Sequence, residues 1–275
     1  MKISLGFSPC PNDTFIFDAL VNKKIDSSGL DLDVFLEDVQ TLNQWALDKK
    51  LDASKISYGV LPLVVDDYNL LDSGGALGNG VGPLLVAKQP LNEGQVHEAK
   101  IAIPGENTTA HILFSLAFPK AARKEFMVFS EIEEAVLAGR ADAGVLIHEG
   151  RFTFAQKGLT KIMDLGDFWE KQTNSPIPLG GIVVRNTLSS TIQRNLSRLI
   201  RQSVAYGMEH YPQLPAYVKD HAQEMDEAVM RQHINLYVND FTLSLGDTGR
   251  NAISNFLHTY SKTHKVQIPT VTMVD

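Results

Sequence analysis

Lys2-Ile3-Ser4-Leu5-Gly6 runs through the loop Ser8-Pro9-Cys10-Pro11-Asn12-Asp13 into Thr14-Phe15-Ile16-Phe17-Asp18-Ala19-Leu20. An alternating apolar run reads as a strand, the proline-rich loop as a turn, and the following stretch as a helix. The same order returns later. Lys100-Ile101-Ala102-Ile103-Pro104-Gly105 passes through Glu106-Asn107-Thr108-Thr109 into Ala110-His111-Ile112-Leu113-Phe114-Ser115-Leu116. A second pair of stretches also echoes. Trp45-Ala46-Leu47 precedes Leu51-Asp52-Ala53-Ser54-Lys55-Ile56-Ser57, and Ala135-Val136-Leu137 precedes Ala141-Asp142-Ala143-Gly144-Val145-Leu146-Ile147-His148. Each shows a helix end, a turn, an Asp-Ala pair and a strand. The shared order predicts an α/β fold of two similar lobes around a cleft. The echo is short, and convergent strand–helix–strand grammar produces it as readily as duplication does.

Turn signals suggest where the lobes divide. Gly78-Asn79-Gly80-Val81-Gly82-Pro83 precedes the apolar run Leu84-Leu85-Val86-Ala87, and Pro176-Ile177-Pro178-Leu179-Gly180-Gly181 precedes Ile182-Val183-Val184. If both segments cross between lobes, the first lobe is discontinuous, residues 1–87 and 179–275, and the second is 88–178. Beyond Asn186 the pattern turns helical. Ile192, Leu196, Leu199, Ile200, Val204 and Met208 recur at helical spacing over 191–211. Further C-terminal helices are expected over 214–218, 227–237 and 245–260.

The chain has 275 residues, 44% hydrophobic and 21% charged, with a net charge of -7. That acidic balance argues against nucleic acid or an anionic membrane as the main partner. The first residues lack the long apolar core of a secretory signal, and no apolar run approaches a membrane span, so a cytoplasmic protein is expected. Oligomeric state is not readable. With Cys10 the sole cysteine, no intrachain disulfide is possible.

The carboxyl ends of strands are where ligands bind in open α/β sheets. His148 ends one such strand, and its side chain titrates nearest neutral pH. Ser57 ends the echoed strand, so the two are expected to face each other across the cleft. Asn107, Thr108 and Thr109 sit at a helix start, matching Asn12, Asp13 and Thr14 in the other lobe. Helix N-termini present free N–H groups that suit a carboxylate or phosphate. The same residue types also serve as plain caps, and the pattern leaves both roles open. Cys10 could act as a nucleophile or lie inert. The scattered histidines show no metal-ligand spacing, so no metal is expected. His111, His210, His221, His233 and His258 fall in predicted helices and read as surface or packing residues. No nucleotide-binding glycine motif opens a helix, and Gly74 to Gly82 precedes a strand.

Four segments together carry a resemblance: Ser8-Pro9-Cys10-Pro11-Asn12-Asp13-Thr14-Phe15, Lys55-Ile56-Ser57, Pro104-Gly105-Glu106-Asn107-Thr108-Thr109-Ala110, and Gly144-Val145-Leu146-Ile147-His148-Glu149-Gly150. The chain resembles the 1,4-dihydroxy-6-naphthoate synthases of the futalosine route to menaquinone, from its first strand to its C-terminal helices. The resemblance implies a type II periplasmic-binding-protein-like fold used as a cytoplasmic lyase. It implies a small carboxylate substrate, cyclic dehypoxanthine futalosine, and no metal or organic cofactor. By the same resemblance His148 is the proton acceptor, and Lys55, Ile56, Ser57, Thr109 and Ala110 contact substrate. Asn12, Asn107 and Thr108 are additional candidates. Two other functions suit the scaffold: a small-acid sensor, and the chorismate dehydratase of the same pathway. Fold alone does not choose among them.

Overall fold

β1 (Lys2–Phe7) seeds the larger of two sheets. Its Ile3, Leu5 and Phe7 are fully buried, as an alternating strand on a covered sheet requires. The computed structural model describes residues 2–223 and 226–275. β2 (Asp31–Leu36) and β3 (Ala53–Ser57) both pair with β1 in parallel. β4 (Tyr68–Leu71) and β5 (Ala76–Gly78) complete the first passage of chain. The smaller sheet holds β6 (Leu84–Ala87), β7 (Ile101–Ile103), β8 (Lys124–Phe126), β9 (Ala143–Leu146) and β10 (Thr160–Asp164). The chain then returns to the larger sheet through β11 (Ile177–Arg185) and β12 (Met273–Val274).

The sheet orders match. The larger runs β12-β4-β11-β3-β1-β2, with β5 also on β11, and the smaller runs β10-β6-β9-β7-β8. β7 pairs in parallel with β8 and β9, as β1 does with β2 and β3. β11 lies antiparallel to β3, and β6 lies antiparallel to β9. The echo seen in the sequence is therefore an echo of pairing over five strands, β4-β11-β3-β1-β2 against β10-β6-β9-β7-β8, with β5 and β12 added to the larger sheet. Each sheet's antiparallel strand sits next to a crossing.

Two boundaries differ from expectation. Leu84–Ala87 was expected to close the first lobe, yet its residues pair with β9 and β10 of the smaller sheet. The first crossing thus precedes Leu84. An apolar run with no polar face fits the interior of either sheet, so its sequence cannot say which. The segment 176–181, expected as a linker, is mostly strand. Ile177 and Pro178 pair with β5, and Gly180 and Gly181 pair with β3. The register shifts between Pro178 and Gly180, and such an irregularity tolerates a proline that cannot donate to the ladder.

The C-terminal helices buttress the larger sheet. Ser190–His210 lays Leu196, Leu199, Ile200 and Val204 against Ile3 and Leu5 of β1. It also packs on Pro11–Val21, whose Leu20 N–H donates to Ser203 Oγ at 3.1 Å. The expected helix over 214–218 forms instead at Ala216–His221, after Pro215 at its N-cap. Glu227–Tyr237 forms as expected, and the last helix spans Gly246–His264. No helix among the described residues is long and apolar enough to cross a membrane.

Candidate active site

The carboxyl ends of β1, β3 and β9 and the helix that follows β7 open onto one cavity between the sheets. It encloses about 720 Å³, its mouth included. Ile56, Ser57, Thr108, Ala110 and His148 all line it, so Ser57 and His148 meet the same space from opposite lobes.

On the larger sheet's side the polar side chains that the first loop and β3 present to the cavity, Ser8, Asn12, Asp13, Lys55 and Ser57, are all engaged. The helix Pro11–Val21 starts earlier than the sequence suggested, with Cys10 at the N-cap and Pro11 in its first turn. Proline suits that position because the N–H it lacks would go unpaired there. The early start buries Asp13 in the first helical turn, where Oδ2 accepts from Ser8 Oγ at 2.7 Å. Asp13 Oδ1 meets Lys55 Nζ at 2.9 Å and also accepts from Asn12 Nδ2 at 2.9 Å. Lys55 Nζ donates further to the Gly74 carbonyl at 2.8 Å. A buried cation is tolerable only when paired and hydrogen-bonded, and this network meets both conditions. Asn12, expected to face a ligand as a helix-start residue, instead turns its Oδ1 to His233 Nε2 at 2.8 Å.

The lobes touch at the start of the helix Thr109–Ala117. Ser57 Oγ accepts from the Thr109 N–H at 2.7 Å and lies 3.0 Å from Thr109 Oγ1. Thr109 Oγ1 reaches back to the Leu179 carbonyl on β11 at 3.1 Å. Thr108 caps the helix, accepting from the His111 N–H at 3.2 Å. Asn107 works through its backbone: its carbonyl accepts from Asn43 Nδ2 at 3.0 Å. Gly59 makes this approach possible, because a Cβ there would stand 2.4 Å from the Thr108 carbonyl carbon.

On the smaller sheet's side the end of β9 differs: Glu149 Oε1 has no hydrogen-bond partner among the described residues. His148 lies two residues past β9 with φ of 53°, the left-handed region, which costs a residue with a Cβ some strain. Its ring packs on Phe129 at 4.7 Å and stacks near-parallel on His233 at 5.7 Å. Neither ring nitrogen has a hydrogen bond among the described residues. Burial pushes its pKa below the ordinary 6.5, partly countered by Glu149 and Asp13, so the ring is neutral at pH 7. His233 is held neutral more strongly, by burial and by the neighbouring His148. Burial likewise raises the Cys10 thiol, which keeps it protonated and a weak nucleophile.

Sequence reasoning missed three members of the site. His233 and Tyr237 line the cavity from the helix Glu227–Tyr237. His233 was expected to be a surface or packing residue. It is wholly buried and bonded to Asn12. Glu149 is buried beside His148. Only His233's place on an apolar helical stripe could have flagged burial, and nothing local points that stripe at the cleft.

Comparison with known proteins gives this geometry relatives. A family model described as menaquinone biosynthesis matches residues 3–262. A Thermus thermophilus protein named 1,4-dihydroxy-6-naphtoate synthase is 44% identical over 252 residues, 92% of this chain and 91% of the relative. A Streptomyces coelicolor protein of the same name is 42% identical over 260 residues, covering 93% and 91%. A crystal structure from Archaeoglobus fulgidus superposes with a TM-score of 0.91 at 32% identity, covering 96% of this chain and 98% of that one. A Candida albicans protein described as having the generic periplasmic binding protein fold gives a TM-score of 0.71 at 10% identity, over 98% and 92%. That last likeness concerns the fold alone, which is periplasmic-binding-protein-like. Because the family match takes in both sheets, the cleft and most of the C-terminal helices, the chain belongs to the menaquinone-biosynthesis family.

Proposed function

We propose that this chain is a carbon–carbon lyase that converts cyclic dehypoxanthine futalosine into 1,4-dihydroxy-6-naphthoate, in the cytoplasm and without a cofactor. The observation that carries the reading is His148, a neutral imidazole with uncommitted ring nitrogens on the cavity wall. The names of the Thermus and Streptomyces relatives supply the product.

His148 removes a proton from a hydroxyl of the substrate's sugar-derived portion. The oxyanion collapses to a carbonyl, and the adjacent carbon–carbon bond breaks in a retro-aldol sense. The released electron pair completes the aromatic dihydroxynaphthoate, and aromatisation drives the step. General-base help of this kind contributes about 10²–10⁴-fold. Ser57, Thr109 and Ala110, at the contact between lobes, hold substrate oxygens near the helix start. Lys55, held by Asp13 on the same strand as Ser57, is a further substrate contact on that wall.

The test is direct. The purified protein is incubated with cyclic dehypoxanthine futalosine and, separately, with chorismate, and products are identified by mass. Formation of 1,4-dihydroxy-6-naphthoate from the first alone is expected. Dehydration of chorismate would assign the chain to the neighbouring reaction. Turnover of neither, with tight binding of a small acid, would make it a receptor.

A further inference from the structure

One cluster joins His148, the base of the reaction just described, to groups that take no part in it. Cys10, His148 and Glu149 each bring one ligand atom within 4.8 Å of the others. Cys10 and Glu149 are more than nine-tenths buried. His233 adds a fourth donor from a different element: its Nδ1 lies 3.9 Å from Glu149 Oε1. Neither of these two atoms has a hydrogen-bond partner among the described residues.

The chemistry of that gap is specific. Asn12 Nδ2 faces the Asp13 carboxylate, which only accepts, so Asn12 must present its carbonyl oxygen to His233. His233 Nε2 therefore carries the proton, and Nδ1 is left as a bare lone pair. A lone pair and a carboxyl oxygen, both buried, face each other with no donor between them. A buried acceptor left unpaired costs about 1–3 kcal/mol, and two facing each other call for something positive. A histidine whose far nitrogen is fixed by an amide carbonyl is also the usual arrangement around a metal-ligating imidazole.

We propose that Cys10, His148, Glu149 and His233 form a binding site for a thiophilic divalent cation of the zinc type. Thiolate, imidazole and carboxylate are the zinc donor types. A tetrahedral ion separates such ligands by roughly 3.3–3.7 Å, given metal–ligand lengths of about 2.0–2.3 Å. The 3.9 Å pair is nearly at that spacing, and the Cys10, His148 and Glu149 ligand atoms, within 4.8 Å of one another, reach it by shifts of about 1 Å. On binding, the Cys10 S–H bond breaks and its proton leaves to solvent. The sulfur and nitrogen lone pairs form the new metal bonds, with no change of oxidation state. Occupancy takes the His148 lone pair, so the ion inhibits turnover. That consequence rests on the His148 base assignment; the binding does not. Sequence spacing could not reveal the set, because its members come from the first loop, the end of β9 and a C-terminal helix.

The experiment uses the untagged chain and Co²⁺ alone, followed by Zn²⁺ competition. Cys10 is the sole cysteine, so any thiolate-to-metal charge-transfer band in the near ultraviolet identifies it. One equivalent of Co²⁺ is expected to produce that band, and Zn²⁺ to abolish it. Cys10→Ser should lose the band and weaken Zn²⁺ binding by at least about 100-fold. Glu149→Gln, which leaves the helix start untouched, should weaken it as well. Saturating Co²⁺ without a thiolate band, or equal Zn²⁺ affinity in wild type and Cys10→Ser, overturns the site. Zinc bound through Cys10 with turnover intact would keep the metal site and remove His148 from the reaction.

Discussion

The two sheets present the same strands to the cavity in the same order, yet their carboxyl edges are finished in opposite ways. At the larger sheet, Ser8, Asp13, Lys55 and the Gly74 carbonyl close a buried network. At the smaller sheet, His148 sits in a left-handed turn without a hydrogen bond, and Glu149 Oε1 has no partner among the described residues. Matching topology thus supports unlike chemistry. A saturated edge holds its geometry and serves as a fixed wall. An edge with free lone pairs is the one able to take a proton or an ion. Strain and unpaired groups concentrate at functional sites because the surrounding fold sustains them.

The sharpest way to break this contrast is at His148. His148→Asn keeps a polar side chain of similar reach and is expected to lower kcat by about 10²–10⁴-fold with little change in KM. Steady-state kinetics with cyclic dehypoxanthine futalosine checks it. Near-wild-type turnover would mean that the unengaged edge is not the reactive one. The opposite edge should answer in stability. Lys55→Met removes one partner of a buried ion pair and strands Asp13, a loss of about 3–5 kcal/mol. For a chain of this size that lowers the melting temperature by about 10 °C. A melting temperature unchanged in Lys55→Met would show that the network is not what stiffens this wall.

How much of this could be read from the chain follows from what is local. The pairs Lys2 to Gly6 with Lys100 to Gly105, and Ala53 to Ser57 with Ala143 to His148, carry their order in sequence, so two similar lobes were legible. So was the placement of Ser57, Thr109 and His148 on one cavity. The sheet to which Leu84–Ala87 belongs was not, because an all-apolar strand fits either. His233 was not legible either: Met230, Ile234 and Tyr237 mark its helix as packed, but which helix reaches the cleft depends on how the C-terminal segment docks. Nothing in the sequence marks Gly59, and only the approach of Thr108 reveals why no side chain fits there.

That approach allows a finer test of how the two edges are brought together. Gly59→Ala places a Cβ where the Thr108 and Thr109 backbone now stands. Backbone cannot yield as a flexible side chain can, so the lobes must separate or the turn must shift, at a cost of about 1–3 kcal/mol. The expected outcome is a KM raised about ten-fold or more, through loss of the Ser57–Thr109 contacts. A larger radius of gyration in solution scattering should accompany it. An unchanged KM would show that the contact between lobes is not needed to bind substrate.

The smallest expected effect concerns protons. His233 and His148 are both held neutral in the folded chain, chiefly by burial, with pKa values below the 6.5 of an exposed imidazole. Between those folded values and 6.5 the unfolded chain binds more protons than the folded one. Stability therefore rises with pH across that window. The contribution is complete above pH 6.5 and is lost progressively as pH falls toward the folded values. Each group adds a slope of at most about 1.4 kcal/mol per pH unit. His233→Gln removes one titrating group while keeping a donor for Asn12 Oδ1. Urea midpoints measured from pH 7.5 to 5 should fall less steeply in this variant than in the wild type. His148 remains in the variant, so part of the slope persists, and it sets the acid limb of kcat/KM below pH 6.5. Parallel stability curves for the two proteins would mean that His233 already carries its proton in the fold. Its Nδ1 would then donate to Glu149, and the contrast between a satisfied and an unsatisfied edge would narrow to His148 alone.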